Sequence, residues 1–306
     1  MAVGPGAQGR PMSLIALPAA REPDGAVHAF LVDLEHSNRS PHTRRAYASD
    51  LASFNRYYTG PLGGITPEVL RGYFSTLAGL SPSTRARKQA ALASFLGWAF
   101  EQDLIDSNPM GKVSRVKIEP PQPRGIAPKL VEKVLAAIPS KKKRDRLLFR
   151  LIYETGMRAG EALQLYVEDL DLSRDDERIR VAGKGGKGRT ILLDNPALVK
   201  QLQAYLKETG YKQGALFRAE KNHRGGALRY HSARELWEGY CNKEGVECTL
   251  HQLRHTHATE LVNDDVPLET IRRRLGHRNM QTTLRYAEQL DKTSDTQMRE
   301  WRRRRG

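Results

Sequence analysis

The strongest constraint in this sequence is a series of proline-marked helix starts in its first third. Ser40, Thr66 and Ser81 each stand directly before a proline. Serine and threonine cap helix N-termini, and proline is favoured at the first helical position. Apolar residues then recur at intervals of three and four, which is one face of a helix. With an earlier helix over residues 27–36, the sequence predicts four helices and no strand before residue 108.

A proline-rich stretch then divides the chain. Residues 111–127 contain three prolines and scattered basic residues, and Pro128 follows them. This composition is typical of an extended linker. At roughly 150 residues per domain, a chain of 306 residues is expected to form about two. We therefore predict a helical domain over residues 25–110, a linker over 111–127 and a second domain over 128–290.

The second domain combines helices with one hairpin. Residues 129–138 and 141–155 have helical periodicity, while residues 178–181 and 189–193 are short β-prone runs. The glycine-rich turn AGKGGKG separates these two runs, and the chain from Asn195 onward is mainly helical in pattern. The predicted fold class is mainly α with a small β-sheet, in a helical domain followed by an α+β domain.

The two ends of the chain differ from the rest. Residues 1–24 are rich in glycine, proline and alanine, which indicates a flexible tail. The alternative, a secretory signal, would need a longer apolar core than residues 14–17 provide. Residues 291–306 form a basic tail that contains WRRRR.

Charge indicates the class of partner. The chain has 50 Lys and Arg against 35 Asp and Glu, a net charge of +15. Such an excess favours a polyanionic partner, and 7% aromatic content argues against base stacking as the main binding mode. A charge that only serves solubility is the alternative. Five basic residues in the first turns of two helices are candidate DNA contacts, or else part of a solvated face: Arg44, Arg45, Arg85, Arg87 and Lys88.

Other classes of protein fit less well. The longest mostly apolar run, residues 90–100, is about half the roughly 20 residues of a membrane-spanning helix. Cys241 and Cys248 make no disulfide framework and lack zinc-ribbon spacing. We expect a cytoplasmic protein in a reducing setting, without a membrane segment, metal or cofactor.

Two segments of the second domain combine glycine with basic residues. In TGMRAGEAL, Gly156 ends a helix and Arg158 opens the next, with Glu161 placed to orient its guanidinium. A plain surface ion pair is the alternative. The hairpin GKGGKGR lacks Walker spacing but offers cations to a phosphate, unless it is only a basic turn. Its candidate DNA-binding cations are Lys184, Lys187 and Arg189.

The segment HQLRHTHATEL is rich in histidine. His251 shares a helix face with Arg254 and with His255, and a neutral imidazole beside a permanent cation suits phosphoryl transfer. A zinc enzyme built on His251, His255 and His257 is a weaker alternative, because Gln252 stands where a zinc protease has glutamate.

The segment LGHRNMQTTLRYA contains His277, ends one helix at Gly276 and begins another. We expect Tyr286 to lie beside the apolar face of the new helix with its hydroxyl available, although such a tyrosine is more often a packing residue. The residues expected to face inward are Met280, Leu284 and Ala287.

Together and in this order, the four segments resemble the signature of the tyrosine recombinase/integrase family. The amino-terminal part resembles the family's core-binding, SAM-like domain through SPHTRRAYASDLASF. The likeness covers about residues 25–290 and is to compact Xer-like and phage-type integrases. The matching catalytic positions are Arg158, Lys184, His251, Arg254, His277 and Tyr286.

The resemblance implies a site-specific recombinase that needs neither metal nor ATP. By resemblance, Tyr286 forms a 3′-phosphotyrosyl bond, Lys184 protonates the leaving 5′-oxygen and His251 assists proton transfer at the tyrosine. The family's phosphate donors correspond to Arg158, Arg254 and His277. Four protomers would hold two duplex sites and exchange strands through a Holliday junction, with the basic tail on a neighbour or on DNA.

Two alternatives of other classes remain at this point. A type IB topoisomerase shares the nucleophile chemistry but relaxes DNA as a monomer. A DNA-binding regulator with a silent site would lack a catalytic residue, whereas all six types are present. The target sequence and the biological task are left open.

Overall fold

A computed structural model describes residues 23–118, 125–183, 188–219, 226–277, 279–287, 298–299 and 301–303. The chain forms two compact units, residues 1–120 and residues 121–306. Most of the predicted tail 1–24, most of the basic tail 291–306, and both Lys184 and Lys187 lie outside the described residues.

The described part of the first unit contains four α-helices. They are α1 (Pro23–His36), α2 (Pro41–Tyr57), α3 (Pro67–Thr76) and α4 (Pro82–Glu101). Ser40, Thr66 and Ser81 each accept a hydrogen bond from the backbone N–H three residues later, and proline follows each one. The three predicted helix starts are therefore confirmed. Helix α1 begins four residues earlier than predicted.

Aromatic side chains of α1 and α4 pack against each other in the core of the first unit. The Phe30 ring on α1 meets those of Phe95 and Trp98 on α4, each with ring centroids 5.6 Å apart. The same core includes Leu51 and Phe54 of α2, both buried. Burial of large apolar side chains is the main source of stability for such a helical unit.

Hydrogen bonds hold each described end of the predicted linker to the unit beside it. The Gln89 side chain donates to the Ser114 carbonyl at 2.7 Å and accepts from the Val116 N–H at 2.8 Å. In the second unit, the Ile126 N–H donates to the Thr256 hydroxyl at 3.0 Å. Residues 119–124, between these anchors, lie outside the described residues.

The second unit combines a small antiparallel sheet with helices. Its sheet has the order β1 (Leu170–Asp171), β2 (Arg178–Val181), β3 (Arg189–Leu192), and Val181 pairs with Arg189. The predicted hairpin is thus confirmed, and β1 is a third strand that the sequence analysis does not predict. The helices are α5 (Pro128–Ala137), α6 (Lys143–Thr155), α7 (Ala159–Leu163), α8 (Pro196–Thr209), α9 (Tyr230–Lys243), α10 (Leu250–Asn263), α11 (Leu268–Leu275) and α12 (Gln281–Ala287).

Helix α10 organises the second unit, because it packs against α5, α6, α11 and α12. Thr249 and Gln252 form a capping box at its start. The predicted fold class, mainly α with a small sheet, is confirmed. No helix among the described residues combines the length and apolarity required to span a bilayer.

Candidate active site

A left-handed glycine positions the first arginine of the site. Gly156 ends α6 with φ +63°, and Arg158 caps α7. Glu161 accepts hydrogen bonds from the Arg158 backbone N–H at 2.8 Å and from its guanidinium at 3.0 Å. The contact expected from their spacing is therefore present, and it fixes an arginine whose side chain is 48% exposed.

Arg189 holds the other side of the same carboxylate. Its guanidinium makes a bidentate pair with Glu161, at 3.0 and 2.8 Å, and its Nε donates to the Arg274 carbonyl at 3.1 Å. The sequence names Arg189 as a candidate DNA-binding cation. In the structure its guanidinium is paired with Glu161, because β3 begins next to α7 and α11, and a contact with DNA stays a prediction.

Glu161 stays ionised between these two arginines. Burial favours its neutral form, but the hydrogen bonds from Arg189 and from the Arg158 backbone outweigh burial and lower the pKa of Glu161 to about 2. A carboxylate of this kind is a fixed negative charge that locks two guanidinium planes in place.

Arg254 is the buried arginine of the site, with 2% of its surface exposed. It donates to the Gly156 carbonyl at 2.8 Å and to the Leu275 carbonyl at 2.9 Å, so it joins the ends of α6 and α11. Burial and the nearby Arg158 lower the pKa of Arg254 to about 10. It therefore remains a cation at neutral pH.

Tyr286 is surrounded by histidines. A hydrogen bond of 2.7 Å joins its hydroxyl oxygen to Nδ1 of His255. The His277 ring is parallel to the tyrosine ring, with centroids 6.2 Å apart, and His277 Nδ1 is bonded to the Thr283 hydroxyl at 2.9 Å. The His251 ring meets the His255 ring edge-on at 4.3 Å.

The inward face of α12 differs from the prediction. Thr283 and Tyr286 are buried, whereas Met280 and Leu284 are only half-buried. Tyr286 packs in a cluster with residues of α10 and α11, and 2% of its surface is exposed. Its hydroxyl is therefore held inside the unit and does not stand free beside an apolar face.

The ionisation states follow from burial. Burial, together with nearby cationic or imidazole groups, lowers the pKa of His255 to about 4 and that of His277 to about 3. The pKa of His251 is also lowered, first by burial and then by Arg254. Burial raises the pKa of Tyr286, although the two arginines oppose this. At neutral pH the site thus contains neutral imidazoles, a phenol and fixed cations.

A cavity of about 750 Å³ opens beside Arg158 and His277. Such a space, lined by guanidinium groups and a neutral imidazole, suits a phosphate group with charge on its oxygens. Gly183 lies at its edge, and Lys184 is the next residue in the sequence. Its lining includes Arg158, Glu161, Gly183, Arg189 and His277.

Comparisons with known proteins identify the family of the chain. The sequence profile described as the phage integrase family matches residues 125–293, and that of the phage integrase N-terminal SAM-like domain matches residues 27–103. The tyrosine recombinase XerC of Thermodesulfovibrio yellowstonii is 33% identical over 263 residues, which cover 81% of this chain and 85% of XerC. The chain belongs to the phage integrase family of tyrosine recombinases.

Solved structures share the fold of this recombinase. A XerH site-specific recombinase bound to palindromic difH substrate superimposes with a TM-score of 0.73 at 24% identity, covering 92% of this chain and 85% of that one. A lambda integrase tetramer bound to a Holliday junction gives a TM-score of 0.72 at 16% identity, covering 86% and 76% respectively.

The basic residues predicted to bind DNA in the first unit fall into two groups. Arg87 and Lys88 both pair with Asp50, a carboxylate that is 2% exposed, and Lys88 Nζ lies 3.2 Å from it. A buried carboxylate needs such countercharges, so these two cations stabilise Asp50, while their contact with DNA stays a prediction. Arg44 pairs with Glu35 at 2.7 Å. Arg45 and Arg85 make no ion pair among the described residues and stay candidate DNA contacts.

The histidines of α10 do not converge on a common point. His255 contacts Tyr286, while His257 accepts a hydrogen bond from Arg274 Nε at 3.2 Å. Among the described residues, no three His, Cys, Asp or Glu side chains are placed to share a metal ion. The zinc alternative therefore finds no support in this part of the chain.

His255 is the site residue that sequence reasoning missed. The sequence places it one position after Arg254, and we considered it only as a zinc ligand. Its spacing of four from His251 put both on one face of α10, which the structure confirms. Contact with Tyr286 arises only when α12 folds back on α10.

Gly156→Ala is expected to lower the free energy of unfolding by about 2–4 kcal/mol, because alanine is strained at positive φ and overpacks a core. An added Cβ would lie 2.5 Å from His257 and 2.6 Å from Leu275. Urea denaturation measures the change. Gly160→Ala is the matched control, since its Cβ would meet nothing within 4 Å. Equal stability of the two variants would contradict the role given to Gly156.

Proposed function

We propose that this recombinase cuts and rejoins duplex DNA at specific sites through a 3′-phosphotyrosyl intermediate, with Tyr286 as the nucleophile. The observation that carries the proposal is the position of His277. It lines the cationic cavity beside Arg158 and also stacks on Tyr286. His277 therefore lies at both the candidate phosphate site and the candidate nucleophile.

The chemistry follows from these groups. The Tyr286 oxygen attacks phosphorus, and the bond to the 5′-oxygen breaks. Arg158 and Arg254 offer guanidinium N–H groups to the non-bridging oxygens, and His277 offers a further donor. One phosphodiester replaces another of similar energy, so rejoining needs no ATP. Because Tyr286 is 2% exposed, the phosphate must gain access to its hydroxyl before attack.

The leaving group also needs a proton. We assign this role to Lys184, which follows Gly183 at the edge of the cavity and matches the lysine position of the family motif. Lys187, in the same glycine-rich segment of the sequence, is the rival candidate. Both lysines lie outside the described residues, so the assignment rests on the sequence.

The proposed assembly is a homotetramer on two DNA sites that exchanges strands through a Holliday junction. It is supported by the fold shared with a lambda integrase tetramer bound to such a junction. We propose residues 25–110 as the core-binding domain, residues 111–127 as the linker and residues 128–290 as the catalytic domain. Such a protein would act where the chromosome lies, in the cytoplasm.

The decisive experiment separates recombination from relaxation. Purified protein is incubated with a plasmid that has two copies of its binding site, identified first by footprinting on genomic DNA. Recombination gives deletion or inversion products and Tyr286-linked DNA, which mass spectrometry of tryptic peptides locates. Relaxation of one-site plasmids without exchange would favour a topoisomerase. Binding without any covalent product would favour a silent regulator and contradict the proposal.

Affinity for duplex DNA is expected to fall steeply with salt, with a log–log slope of about −5 or steeper. The net charge of +15 accounts for this expectation, together with Arg45 and Arg85, which make no ion pair within the described part of the chain. Fluorescence anisotropy with labelled duplex at several salt concentrations measures the slope. Arg45→Gln and Arg85→Gln should each make it shallower by about one. A slope close to zero would show that phosphate contacts do not dominate binding.

Lys184→Ala is expected to slow cleavage of normal DNA and to recover on a substrate with a 5′-bridging phosphorothiolate. Sulfur leaves with little need for a proton, so the substrate replaces a general acid but not a phosphate contact. Single-turnover cleavage of both substrates gives the comparison. Lys187→Ala serves as the matched control. Rescue in Lys187→Ala alone would move the general acid to that position.

A further inference from the structure

The hydroxyl of Tyr286 has a specific partner that the family-type motif does not supply. Among the described residues, the side chain bonded to it is His255, through Nδ1 at 2.7 Å. The motif residue His251 instead contacts His255. The two rings are edge-on, with their centroids 4.3 Å apart. The hydroxyl of the nucleophile therefore lies against His255.

We propose that His255 is a catalytic residue that accepts the Tyr286 proton during cleavage and returns it during rejoining. The inference rests on the proposed function, because it concerns the same nucleophile. It changes the role expected of His251, which becomes the neighbour that orients the His255 ring.

The environment of His255 suits an acceptor. On its own helix it faces His251 and Arg254, on α12 it faces Tyr286, and His277 lies close enough to interact with it electrostatically. Burial and these cationic or imidazole neighbours keep its ring neutral at pH 7, with a pKa of about 4. A neutral ring that carries its proton on Nε2 presents a lone pair at Nδ1.

The step balances in protons and bonds. As the Oη–P bond forms, the phenolic O–H bond breaks and its proton passes to His255 Nδ1, which gives an imidazolium. The P–O5′ bond breaks at the same phosphorus, and the 5′-oxygen takes the proton of Lys184. Bound DNA brings negative charge into the site, which stabilises the imidazolium. Rejoining reverses each transfer.

A role in proton transfer differs from a role in positioning, and the acidity of the nucleophile tells them apart. Fluorinated tyrosine at position 286, introduced by genetic code expansion, has a more acidic hydroxyl and a similar shape. The more acidic hydroxyl reduces the need for a general base. Fluorination does not compensate for the loss of a side chain that only holds the tyrosine ring in position. The assay is single-turnover formation of covalent adduct on a nicked suicide duplex.

With ordinary tyrosine, His255→Ala should slow adduct formation by about 10²-fold or more, as expected for loss of a general base. Fluorotyrosine should speed adduct formation in the same variant by a factor at least about tenfold larger than the factor by which it speeds the parent protein. His251→Ala is the matched control on the same helix face, and its gain should equal that of the parent. His255→Asn keeps a polar atom near the Nδ1 position without basicity, and should behave like His255→Ala.

The outcomes separate the inference from the proposed function. A parent protein that forms no adduct at all contradicts the proposed function. A parent that forms the adduct, with His255→Ala near its rate or with no extra gain from fluorination, overturns the inference alone. Extra gain in His251→Ala but not in the His255 variants would return the acceptor role to His251. If His255→Ala fails to fold by circular dichroism, His255→Asn decides by the same criteria.

Discussion

Tyr286→Phe is expected to bind DNA with near-normal affinity and to form no detectable covalent adduct, a loss of at least about 10³-fold in cleavage. The change removes one oxygen atom and leaves the ring to fill the same buried space against α10 and α11. Loss of the bond to His255 costs only about 1 kcal/mol of stability, since one neutral hydrogen bond is removed. Denaturing gels with a nicked suicide duplex measure the adduct, and gel shifts measure binding.

The matched control is Tyr73→Phe. Tyr73 is also 2% exposed, and its hydroxyl bonds to one side chain within the described ranges, Ser53 at 3.1 Å, but it lies in the first unit. That variant should cleave DNA like the parent protein. An adduct that persists in Tyr286→Phe would show that another tyrosine attacks, and the position of Tyr286 between His255 and His277 would need another explanation.

What the sequence predicts well is local. The caps at Ser40, Thr66 and Ser81 each involve one side chain and a backbone group three residues away, so a short window contains the whole interaction. The pairing of β2 with β3 is local in the same sense, because only a short glycine-rich segment of the sequence separates the two strands. The pairing of Arg158 with Glu161 is another contact within one helical turn.

What the sequence does not predict depends on distant contacts. Strand β1 has two residues and exists because β2 pairs with it, so no local pattern announces it. Arg189 meets Glu161 across 28 residues, and His255 meets Tyr286 across 31. Residue types at these positions are compatible with solvent, phosphate or metal. Only the fold decides between those environments.

The same limit applies to the basic residues. Arg87 and Lys88 look like DNA ligands in the sequence, because they are cations at a helix start. Asp50 lies 37 residues before Arg87 and is buried against both, which gives the two cations a partner inside the protein. A net charge therefore identifies the class of partner better than it identifies the residues that touch it.

The two arginines of the candidate active site should lose cleavage alike but differ in stability after the same conservative change. Arg158 is half-exposed and its contacts are to Glu161, whereas Arg254 is 2% exposed and donates to the carbonyls of Gly156 and Leu275. Lysine keeps the charge but lacks the planar fork, so it cannot serve two carbonyls and a phosphate together. Both variants should therefore lose about 10²-fold or more in cleavage, while DNA affinity changes little.

The two variants should differ in their free energy of unfolding. Arg254→Lys should also lower the free energy of unfolding by about 1–3 kcal/mol, because a buried carbonyl loses its donor. Arg158→Lys should stay within about 0.5 kcal/mol of the parent, as substitutions on an exposed surface usually do. Urea denaturation and single-turnover cleavage on the same preparations provide both numbers. An equal loss of stability in the two variants would show that Arg254 does not join α6 to α11, and normal cleavage in either would place the phosphate elsewhere.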